Sequence, residues 1–584
     1  MSDISPIRTD GSPSAPVLDV AGLDVSFAGV GPVLRDVDLS LAPGRCLAVV
    51  GESGAGKSVL ARTLVGLAGE GGAPATVTAR RLSVAGQDVR SAGTRQWRRL
   101  RGDRVGFVLQ DALQSLDPLR TVGAEVAESL RVRGVGRVER QRRAIDALEL
   151  AGLDSPATRA AQRSGELSGG MRQRALIASA IIANPSLLIA DEPTTALDAT
   201  VASGVLDLLG RLRDEGTALL LVSHDLAAVA RLADDVLVLD GGRVVEHGPA
   251  SEVLHRPRHE VTRALLDAVP RGPRAPAQRG PRHPAPHPNP SAPHSHPHLP
   301  ADSSIPADQP NDPSAVSSPA DSSIPVASAH SGEGEPVLRA TGLQQRYRLP
   351  GGGTVTALDD VDLVVERGQA VGVVGESGSG KSTLARMLVA AEQPDAGTVE
   401  LGGAPWSQLP ERRRRPRRHL VRLVPQDPLG SFDPRWTAGK ILQTSLRVSG
   451  SDRTPAELLE LVRLPATTLA RRPRSLSGGQ RQRLAIARAL AADPAVLVLD
   501  EPVSALDVTV QAAILDLLVD LQERTGTALV LISHDLAVIR QVCETVAVMQ
   551  DGRVVERGPV EEVWANPTAP FTRALLEASA PLHG

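Results

Sequence analysis

Two glycine-rich stretches of the chain have the residue types and the spacing that hold phosphate groups. They read GESGAGKS at residues 51–58 and GESGSGKS at residues 375–382, and both fit the pattern G-x-x-x-x-G-K-[ST]. Glycines let several backbone N–H groups converge on one anion, while the lysine reaches the terminal phosphates and the serine hydroxyl completes a Mg²⁺ site. The 584 residues contain lysine at three positions only, and two of these are Lys57 and Lys381.

The two stretches predict two ATP-binding loops. Lysine suits such a loop because a compact ammonium on a flexible stem fits inside a phosphate cradle, whereas a planar guanidinium presents a different donor geometry. The residues predicted to bind ATP through these loops are Gly51, Glu52, Ser53, Gly54, Ala55, Gly56, Lys57 and Ser58, and Gly375, Glu376, Ser377, Gly378, Ser379, Gly380, Lys381, Ser382 and Thr383.

An acidic pair ends an apolar run in each half of the chain. The run LLIADE ends in Asp191 and Glu192, and the run VLVLDE ends in Asp500 and Glu501. The first acid of each pair is predicted to hold Mg²⁺ together with the loop serine, and the second to orient or activate the water that attacks the phosphate. The second acids, Glu192 and Glu501, are therefore candidate catalytic residues.

The elements that must position these groups are strands followed by helices. CLAVV at 46–50 and AVGVV at 370–374 are short apolar runs that end at the glycine loops, which is typical of buried parallel strands. The residues after each lysine have helical spacing. The order of strand, glycine loop and helix predicts an α/β fold and is the context that phosphate binding requires.

The chain contains one domain twice. Gly51 corresponds to Gly375 and Asp191 to Asp500, and all motifs recur in the same order. We expect a disordered N-terminus at 1–15, a first ATPase domain at 16–270, a linker at 271–335 and a second ATPase domain at 336–584. The linker is rich in Pro, His, Ala and Ser and lacks the apolar residues for a core, so it is expected to be a disordered tether. Its clustered histidines are interpreted as spacer composition rather than a metal site.

Composition excludes several classes of protein. A net charge of −3 argues against a general nucleic-acid binder. Cys46 and Cys543 are isolated, so neither a zinc site nor an iron–sulfur cluster is predicted. No apolar run approaches the roughly 18 residues of a membrane span, and the N-terminus has no secretory signal. Work at a membrane would therefore require partner proteins.

The complete motif order resembles that of ATP-binding-cassette proteins. The order runs from the glycine loop through a glutamine (Gln110 or Gln426), LSGG, and the acidic strand with ALD to SHD, and it covers nearly all of both halves. This resemblance implies two P-loop ABC ATPase domains, each with a helical subdomain. It also implies that His224 and His534 are catalytic and that the glutamines join the Mg²⁺ sites.

In proteins of this kind each ATP lies between two domains, so the resemblance implies that the halves pair with each other. The loop of one half would face the LSGG of the other, and a serine with backbone N–H groups at a helix N-terminus is a second anion cradle. The signature residues implied to bind ATP are Ser168, Gly169 and Gly170, and Ser477, Gly478 and Gly479. The Mg²⁺ ligands would be Ser58, Gln110 and Asp191, and Ser382, Gln426 and Asp500.

The same resemblance places an aromatic side chain against adenine. Phe27 in LDVSF and Tyr347 in LQQRY occupy that place, and Tyr347 is the only tyrosine in the chain. An aromatic ring provides a stacking surface for a base without reading its identity. An ordinary core aromatic is the alternative at both positions.

The segments after the glutamines narrow the resemblance to ATPases of dipeptide, oligopeptide and nickel importers. They read QDALQSLDPLRTVG at 110–123 and QDPLGSFDPRWTAG at 426–439, and the halves differ as LSGGMRQR and LSGGQRQR. This implies two fused ATPases energising an importer of peptides or of a small solute such as nickel or glutathione. The implied partners are two membrane permeases, docking near 111–165 and 427–475, and an extracytoplasmic solute-binding protein. The implied location is the cytoplasmic face of the cell membrane.

Two other functions remain open from the sequence. One is a soluble two-cassette ATPase acting on ribosomes or nucleic acid, for which the basic runs at 411–419 and 95–101 are the best evidence. We expect no nucleic-acid binding, because local charge is weak evidence against a near-neutral whole and the Pro-rich linker cannot be one long helix. The other is an exporter ATPase.

Overall fold

The computed structural model describes residues 15–69, 73–109, 116–194, 197, 199–269, 336–348, 353–504 and 506–579. The predicted linker at 271–335, residues 1–14 of the predicted N-terminal segment, and Gln110 lie outside the described residues. No helix within the described ranges is both long and apolar enough to cross a membrane.

A six-stranded sheet forms the centre of the first half. Its strands are β3 (Cys46–Gly51), β7 (Val105–Val108), β8 (Leu187–Asp191), β9 (Ala218–Val222), β10 (Asp235–Asp240) and β11 (Arg243–Pro249). They lie in the order β11-β10-β3-β9-β8-β7, parallel except for β11, which pairs antiparallel with β10. Every residue of β3, β8 and β9 is buried, as expected for parallel strands covered on both faces.

An antiparallel sheet covers one side of this central sheet. It contains β1 (Leu18–Phe27), β2 (Gly31–Leu41), β4 (Ala75–Thr78), β5 (Arg81–Val84) and β6 (Gln87–Asp88). Buried and exposed residues alternate along β2, so one face packs on the core and the other meets solvent. The apolar face joins β3, β9 and the helix after the glycine loop in one core.

The helices of the first half fall into two groups. Those packed around the central sheet are α1 (Lys57–Leu64), α2 (Thr94–Asp103), α8 (Ala199–Asp214), α9 (Leu226–Leu232), α10 (Ala250–His255) and α11 (Glu260–Asp267). A helical subdomain between β7 and β8 contains α3 (Val122–Val126), α4 (Glu128–Val132), α5 (Arg137–Leu150), α6 (Pro156–Ala161) and α7 (Gly169–Ile181). Its core is continuous with the central sheet through α7 and β8.

The second half repeats this architecture. Its central strands β14 (Ala370–Gly375), β17 (Val421–Val424), β18 (Val496–Asp500), β19 (Ala528–Ser533), β20 (Thr545–Gln550) and β21 (Arg553–Pro559) have the same order, β17-β18-β19-β14-β20-β21. The covering sheet contains β12 (Pro336–Arg348), β13 (Thr354–Glu366), β15 (Ala396–Leu401) and β16 (Ala404–Pro405). The prediction of a duplicated α/β domain with a helical subdomain in each copy is confirmed.

The helices of the second half follow the same plan. They are α12 (Lys381–Leu388), α13 (Glu411–Arg414), α14 (Ala438–Ser449), α15 (Pro455–Leu461), α16 (Gly478–Leu490), α17 (Val508–Thr525), α18 (Leu536–Val542), α19 (Val560–Ala565) and α20 (Pro570–Ser579). Trp406 is fully buried and donates its indole N–H to Leu388 O at 3.1 Å.

The halves contact each other through their C-terminal helices. Helix α20 of the second half packs against α8 of the first, and α11 of the first half packs against α17 of the second. Both α8 and α17 begin directly after the ALD motifs. The reciprocal packing therefore places the segment after each acidic strand next to the opposite half.

Candidate functional site

Each glycine loop wraps around its own lysine. Lys57 Nζ donates to the carbonyls of Gly51 at 2.7 Å and Glu52 at 2.9 Å, and Lys381 Nζ donates to Gly375 at 2.8 Å and Glu376 at 2.7 Å. Both lysines are less than one-tenth exposed. Each ammonium is thus held at the mouth of the loop, where the backbone N–H groups of the following helix begin.

The last glycine before each lysine has a conformation and surroundings that exclude a side chain. Gly56 has φ 103° and Gly380 has φ 99°, both in the left-handed region. A Cβ on Gly56 would lie 2.7 Å from Leu34 Cδ2, and one on Gly380 would lie 2.2 Å from Ala357 O. Glycine is required because the loop presses against the covering sheet at this point.

A serine and an aspartate meet beside each lysine. Ser58 Oγ donates to Asp191 Oδ1 at 3.2 Å, and Ser382 Oγ donates to Asp500 Oδ1 at 3.2 Å. Burial raises the pKa of Asp191 to about 6, and burial likewise raises the pKa of Asp500. Hydroxyl and carboxylate oxygens are the ligands that Mg²⁺ prefers, so these donors fit the predicted metal.

Each predicted catalytic glutamate is paired with its predicted histidine. His224 Nδ1 lies 3.1 Å from Glu192 Oε1, and His534 Nδ1 lies 3.3 Å from Glu501 Oε1. Burial opposes charge on both histidines, but hydrogen bonding and attraction to the glutamate raise the pKa of His224 and of His534 overall. Burial likewise opposes charge on Glu501, and His534 lowers its pKa overall.

Both glutamates have backbone conformations that are rare for side-chain-bearing residues. Glu192 has φ 52° and Glu501 has φ 47°. The N–H of Glu192 donates to Val222 O at 2.8 Å, and that of Glu501 donates to Ile532 O at 2.9 Å. The neighbouring strand therefore holds each glutamate in a turn that costs about 1–3 kcal/mol, and such turns are concentrated at functional sites.

The glutamine of the second half contacts the same glutamate. Gln426 Nε2 donates to Glu501 Oε2 at 2.7 Å, so this carboxylate is held from one side by the amide and from the other by His534. The corresponding Gln110 lies outside the described residues. The structure thus brings loop, acid pair, glutamine and histidine together in the second half.

A cleft of about 260 Å³ opens at the second loop and includes a residue of the first half. Its lining contains Ser377, Gly378, Gly380, Lys381, Ser382 and Thr383 of the loop, with Gln426, Glu501, His534, Val355, Ala357 and Leu197. Leu197 belongs to the ALD motif of the first half. The reciprocal relation involves Lys57 of the first half. Burial lowers the pKa of Lys57 overall, and the negative charges of Glu192 and then of Asp507, in the second-half ALD motif, oppose this shift.

The signature residues begin a helix in each half. Ser168 Oγ accepts a hydrogen bond from Met171 N at 3.3 Å, and Ser477 Oγ accepts one from Gln480 N at 3.3 Å. These serines are therefore N-caps, and Gly169 and Gly478 start the helices. The residues that line the cleft described above include Leu197 but no signature residue of the first half.

The two aromatic candidates lie at the end of the first strand of their covering sheets. Phe27 is half-buried against the core of the first half. Tyr347 is also half-buried, and its hydroxyl donates to Glu392 Oε1 at 2.5 Å. Neither residue lines the cleft at the second loop, so stacking on adenine stays a prediction for both.

Sequence reasoning did not identify Leu197, Val355 and Ala357 as parts of the site, or Glu392 as the partner of the Tyr347 hydroxyl. The motif ALD pointed to the segment of Leu197, but its approach to the loop of the other half follows from the packing of α20 on α8. Nothing in the sequence distinguishes Glu392 from any surface acid. Within the described ranges no group of three His, Cys, Asp or Glu side chains is arranged for a metal, and both cysteines are buried and unpaired.

Three of the six arginines in the basic run at 411–419 make side-chain contacts within the fold. Arg414 is buried and donates to Ala390 O at 3.2 Å, Arg417 donates to backbone carbonyls of 401 and 405, and Arg418 pairs with Glu411. These contacts fasten part of the run to the fold.

Comparison with known proteins identifies related domains in both halves. The family model described as ABC transporter matches residues 34–195 and 358–504, and that of the oligopeptide/dipeptide transporter C-terminal region matches 245–295. The chain is 38% identical to the oligopeptide transport ATP-binding protein OppD of Mycobacterium tuberculosis, over 97% of this chain and 98% of that protein. It is 37% identical to the glutathione import ATP-binding protein GsiA of Salmonella typhimurium, over 98% and 90%.

One solved structure aligns with both halves. The archaeal ribosome recycling factor aABCE1, solved with the stalk protein aP1, matches 91% of this chain and 88% of that chain, with a TM-score of 0.54 and 20% sequence identity. At this identity the match shows a common fold alone.

Proposed function

Because the chain belongs to the ABC transporter family and is an ATPase of that family, we propose that it hydrolyses ATP to energise a membrane importer of peptides. The observation that carries the proposal is the duplicated constellation. Each half has a lysine held by its glycine loop, a serine–aspartate contact and a glutamate–histidine pair, with matching distances. Neither half has lost a catalytic group, so we propose two active sites.

We propose that the two ATPase domains span 16–270 and 336–584 and that each ATP is shared between them. The loop of one half would bind the phosphates from one side, and the signature of the other half would bind them from the opposite side. The presence of Leu197 at the second loop and the influence of Asp507 on Lys57 support this arrangement, because both cross between the halves.

In the proposed reaction the lysine and the loop N–H groups bind the β- and γ-phosphates. Mg²⁺, held by Ser58 and Asp191 or by Ser382 and Asp500, would neutralise charge that develops on the phosphates. Water attacks the γ-phosphorus, the bond to the β-phosphate oxygen breaks, and ADP and phosphate are released. The carboxylate of Glu192 or Glu501 orients this water and accepts the proton that it loses.

The histidine has a positioning role in this proposal. By donating from Nδ1, His534 holds the Glu501 carboxylate in one orientation and favours its ionised form. Gln426 donates to the second oxygen of the same carboxylate, which couples the segment after β17 to the catalytic group. A movement of that segment would therefore reach the glutamate through one hydrogen bond.

We propose that the chain binds the cytoplasmic face of the cell membrane through two permease subunits, with an extracytoplasmic binding protein delivering the solute. The relatives named as oligopeptide and glutathione transport proteins support a peptide-like cargo. The test is reconstitution of the chain with its two permeases in liposomes. Peptide-loaded binding protein should stimulate ATP hydrolysis and drive peptide uptake, and an unstimulated ATPase without uptake would contradict the importer function.

A further inference from the structure

Two arginines of the second half lie on packed elements, and neither has an acidic partner among the residues that the structure describes. Arg422 is on the edge strand β17 and Arg488 is on α16, the helix that follows LSGG. Val421 and Leu423 of the strand pack into the core beneath the covering sheet, so the alternation of side chains turns Arg422 to the opposite face, toward α16. Strand β17 packs against α16, and Arg422 disfavours the charge of Arg488.

Neither guanidinium is neutralised by a carboxylate within the described residues. Arg422 Nε is buried and has no hydrogen-bond partner. Arg488 donates to Ser431 O at 2.8 Å and to Ser431 Oγ at 3.1 Å, and it lies 4.8 Å from the centre of the Phe432 ring, so all its partners are neutral. Burial and then Arg422 lower the pKa of Arg488, and burial and then Arg418 lower the pKa of Arg422.

Such a pair is unusual because both side chains are half-buried, and charges that are partly removed from water are normally paired. Arg418, the cation that lowers the pKa of Arg422, forms an ion pair with Glu411. Arg422 lies on the strand that precedes Gln426, and Arg488 contacts Ser431 and Phe432 in the segment that follows Gln426. This is the segment at which a membrane subunit is expected to dock, and it continues to the half-exposed Trp436.

The first half has no charge at the corresponding positions. Gly106 replaces Arg422, Ser179 replaces Arg488, and Leu116 replaces Phe432. A Cβ on Gly106 would lie 2.5 Å from Ala180 O, so this strand and helix touch directly, and Ser179 Oγ is bonded to Leu176 O at 2.8 Å. In the described part of the first-half segment, Leu119 is 79% exposed.

We propose that Arg422 and Arg488 bind an acidic side chain on the docking segment of one permease subunit, whereas the first half receives an uncharged segment. This inference rests on the proposed importer function. A carboxylate beside the two guanidinium groups would offset the repulsion that Arg422 exerts on Arg488. The same two arginines would repel a basic docking segment. The charge of its docking segment would therefore determine which half each permease subunit binds.

The first test measures binding of the full chain to its two permeases in nanodiscs at low and high salt. Arg422→Gln should weaken binding at least about tenfold, because a charge partner is removed from a desolvated contact. Arg422→Lys should recover most of the affinity. The control Arg413→Gln removes an exposed cation from the neighbouring basic run and should leave binding unchanged, and all variants should keep basal ATPase activity and thermal stability. Wild-type affinity in Arg422→Gln would overturn the proposal.

The second test identifies the partner atom and does not depend on the glutamine variant folding. The chain has only three natural lysines, so Arg422→Lys adds an amine that a carbodiimide can couple to a carboxylate in contact with it. Mass spectrometry should find position 422 joined to an acidic residue of one permease, and Arg413→Lys should give no such product. An intact complex without this cross-link would overturn the inference, whereas a wild-type chain that never binds the permeases would contradict the proposed function.

Discussion

At the scale of single residues, the proposed catalytic groups of the two halves have the same arrangement. In each half a glutamate in a strained turn accepts a hydrogen bond from a histidine, and the neighbouring aspartate faces the loop serine. The adjacent aspartate and glutamate of each half therefore have different hydrogen-bond partners and different proposed roles. One carboxylate faces the position of the metal, and the other faces a proton donor.

This division predicts the effect of removing both glutamates. The double variant Glu192→Gln plus Glu501→Gln should lower ATP turnover at least about a hundredfold, because an amide cannot accept a proton from the attacking water. ATP binding should persist, since the loops are untouched. Phosphate release under saturating ATP measures the first effect and equilibrium nucleotide binding the second. Turnover at the wild-type rate would contradict the assigned roles.

The glycine that precedes the lysine makes a second residue-scale prediction. Gly380→Ala should weaken ATP binding at the second site at least about tenfold, because the added methyl group meets Ala357 O and strains a left-handed residue. Gly450→Ala is the matched control: its φ is 71°, but nothing lies within 4 Å of the new Cβ. It should cost about 1 kcal/mol of stability without changing nucleotide affinity. If Gly380→Ala and Gly450→Ala bind ATP with equal affinity, the contact with Ala357 O does not explain why position 380 is glycine.

At the scale of elements, a glutamate on the last strand of each half anchors the C-terminal helices. Glu556 accepts hydrogen bonds from the N–H groups of Thr568 and Ala569 and from the Thr568 hydroxyl, and Glu246 does the same for Arg258, His259 and Thr262. Burial opposes the charge of Glu556, but these hydrogen bonds lower its pKa to about 2. The ionised carboxylate is therefore the form that holds α20.

This anchor predicts a pH-dependent stability difference. Glu556→Gln should destabilise the second half by about 1 kcal/mol near neutral pH, a modest figure because the carboxylate is partly exposed to solvent. Since the folded pKa is lowered, the stabilisation is complete above the unfolded pKa and is lost as the pH falls toward about 2. The gap in unfolding temperature between wild type and variant should therefore close as the pH is lowered. If the difference in unfolding temperature does not change with pH, the lost stability comes from altered packing and not from the lost charge.

At the scale of the whole molecule, each half completes the surroundings of the other's site. Leu197 of the first half lines the cleft at Lys381, and Asp507 of the second half influences Lys57. A change in the ALD motif of one half should therefore act on the site of the other. The catalytic glutamates allow this to be tested one site at a time.

The prediction uses two backgrounds in which only one site turns over. With Glu192→Gln present, the second site alone is active, and Leu197→Ala should lower its ATPase rate about tenfold by misplacing groups at the loop. With Glu501→Gln present, only the first site is active, and Leu197→Ala should have little effect. Leu506→Ala in the second half is the matched variant with the opposite pattern. An effect that stays within the half carrying the change would contradict sharing of the site.

The parts of the site that the sequence could predict are those encoded by short local patterns. The spacing in 51–58 and 375–382 forces a turn into a helix, and the acids at the ends of apolar strands must lie at the same sheet edge. Leu197 and Arg422 could not be predicted in this way, because their importance depends on side chains brought close by packing. Arg422 is one of many arginines in the sequence, and only the packing of β17 on α16 shows that its Nε is buried without a hydrogen-bond partner.

The reciprocal packing of α20 on α8 and of α11 on α17 is the pattern that a symmetric homodimer would show. Joining the copies in one polypeptide frees them from that symmetry, since a substitution is no longer imposed on both sides at once. Gly106 and Arg422 occupy equivalent places yet differ in size and charge. The fusion thus allows two similar ATPase domains to evolve different docking surfaces, one for each proposed membrane subunit.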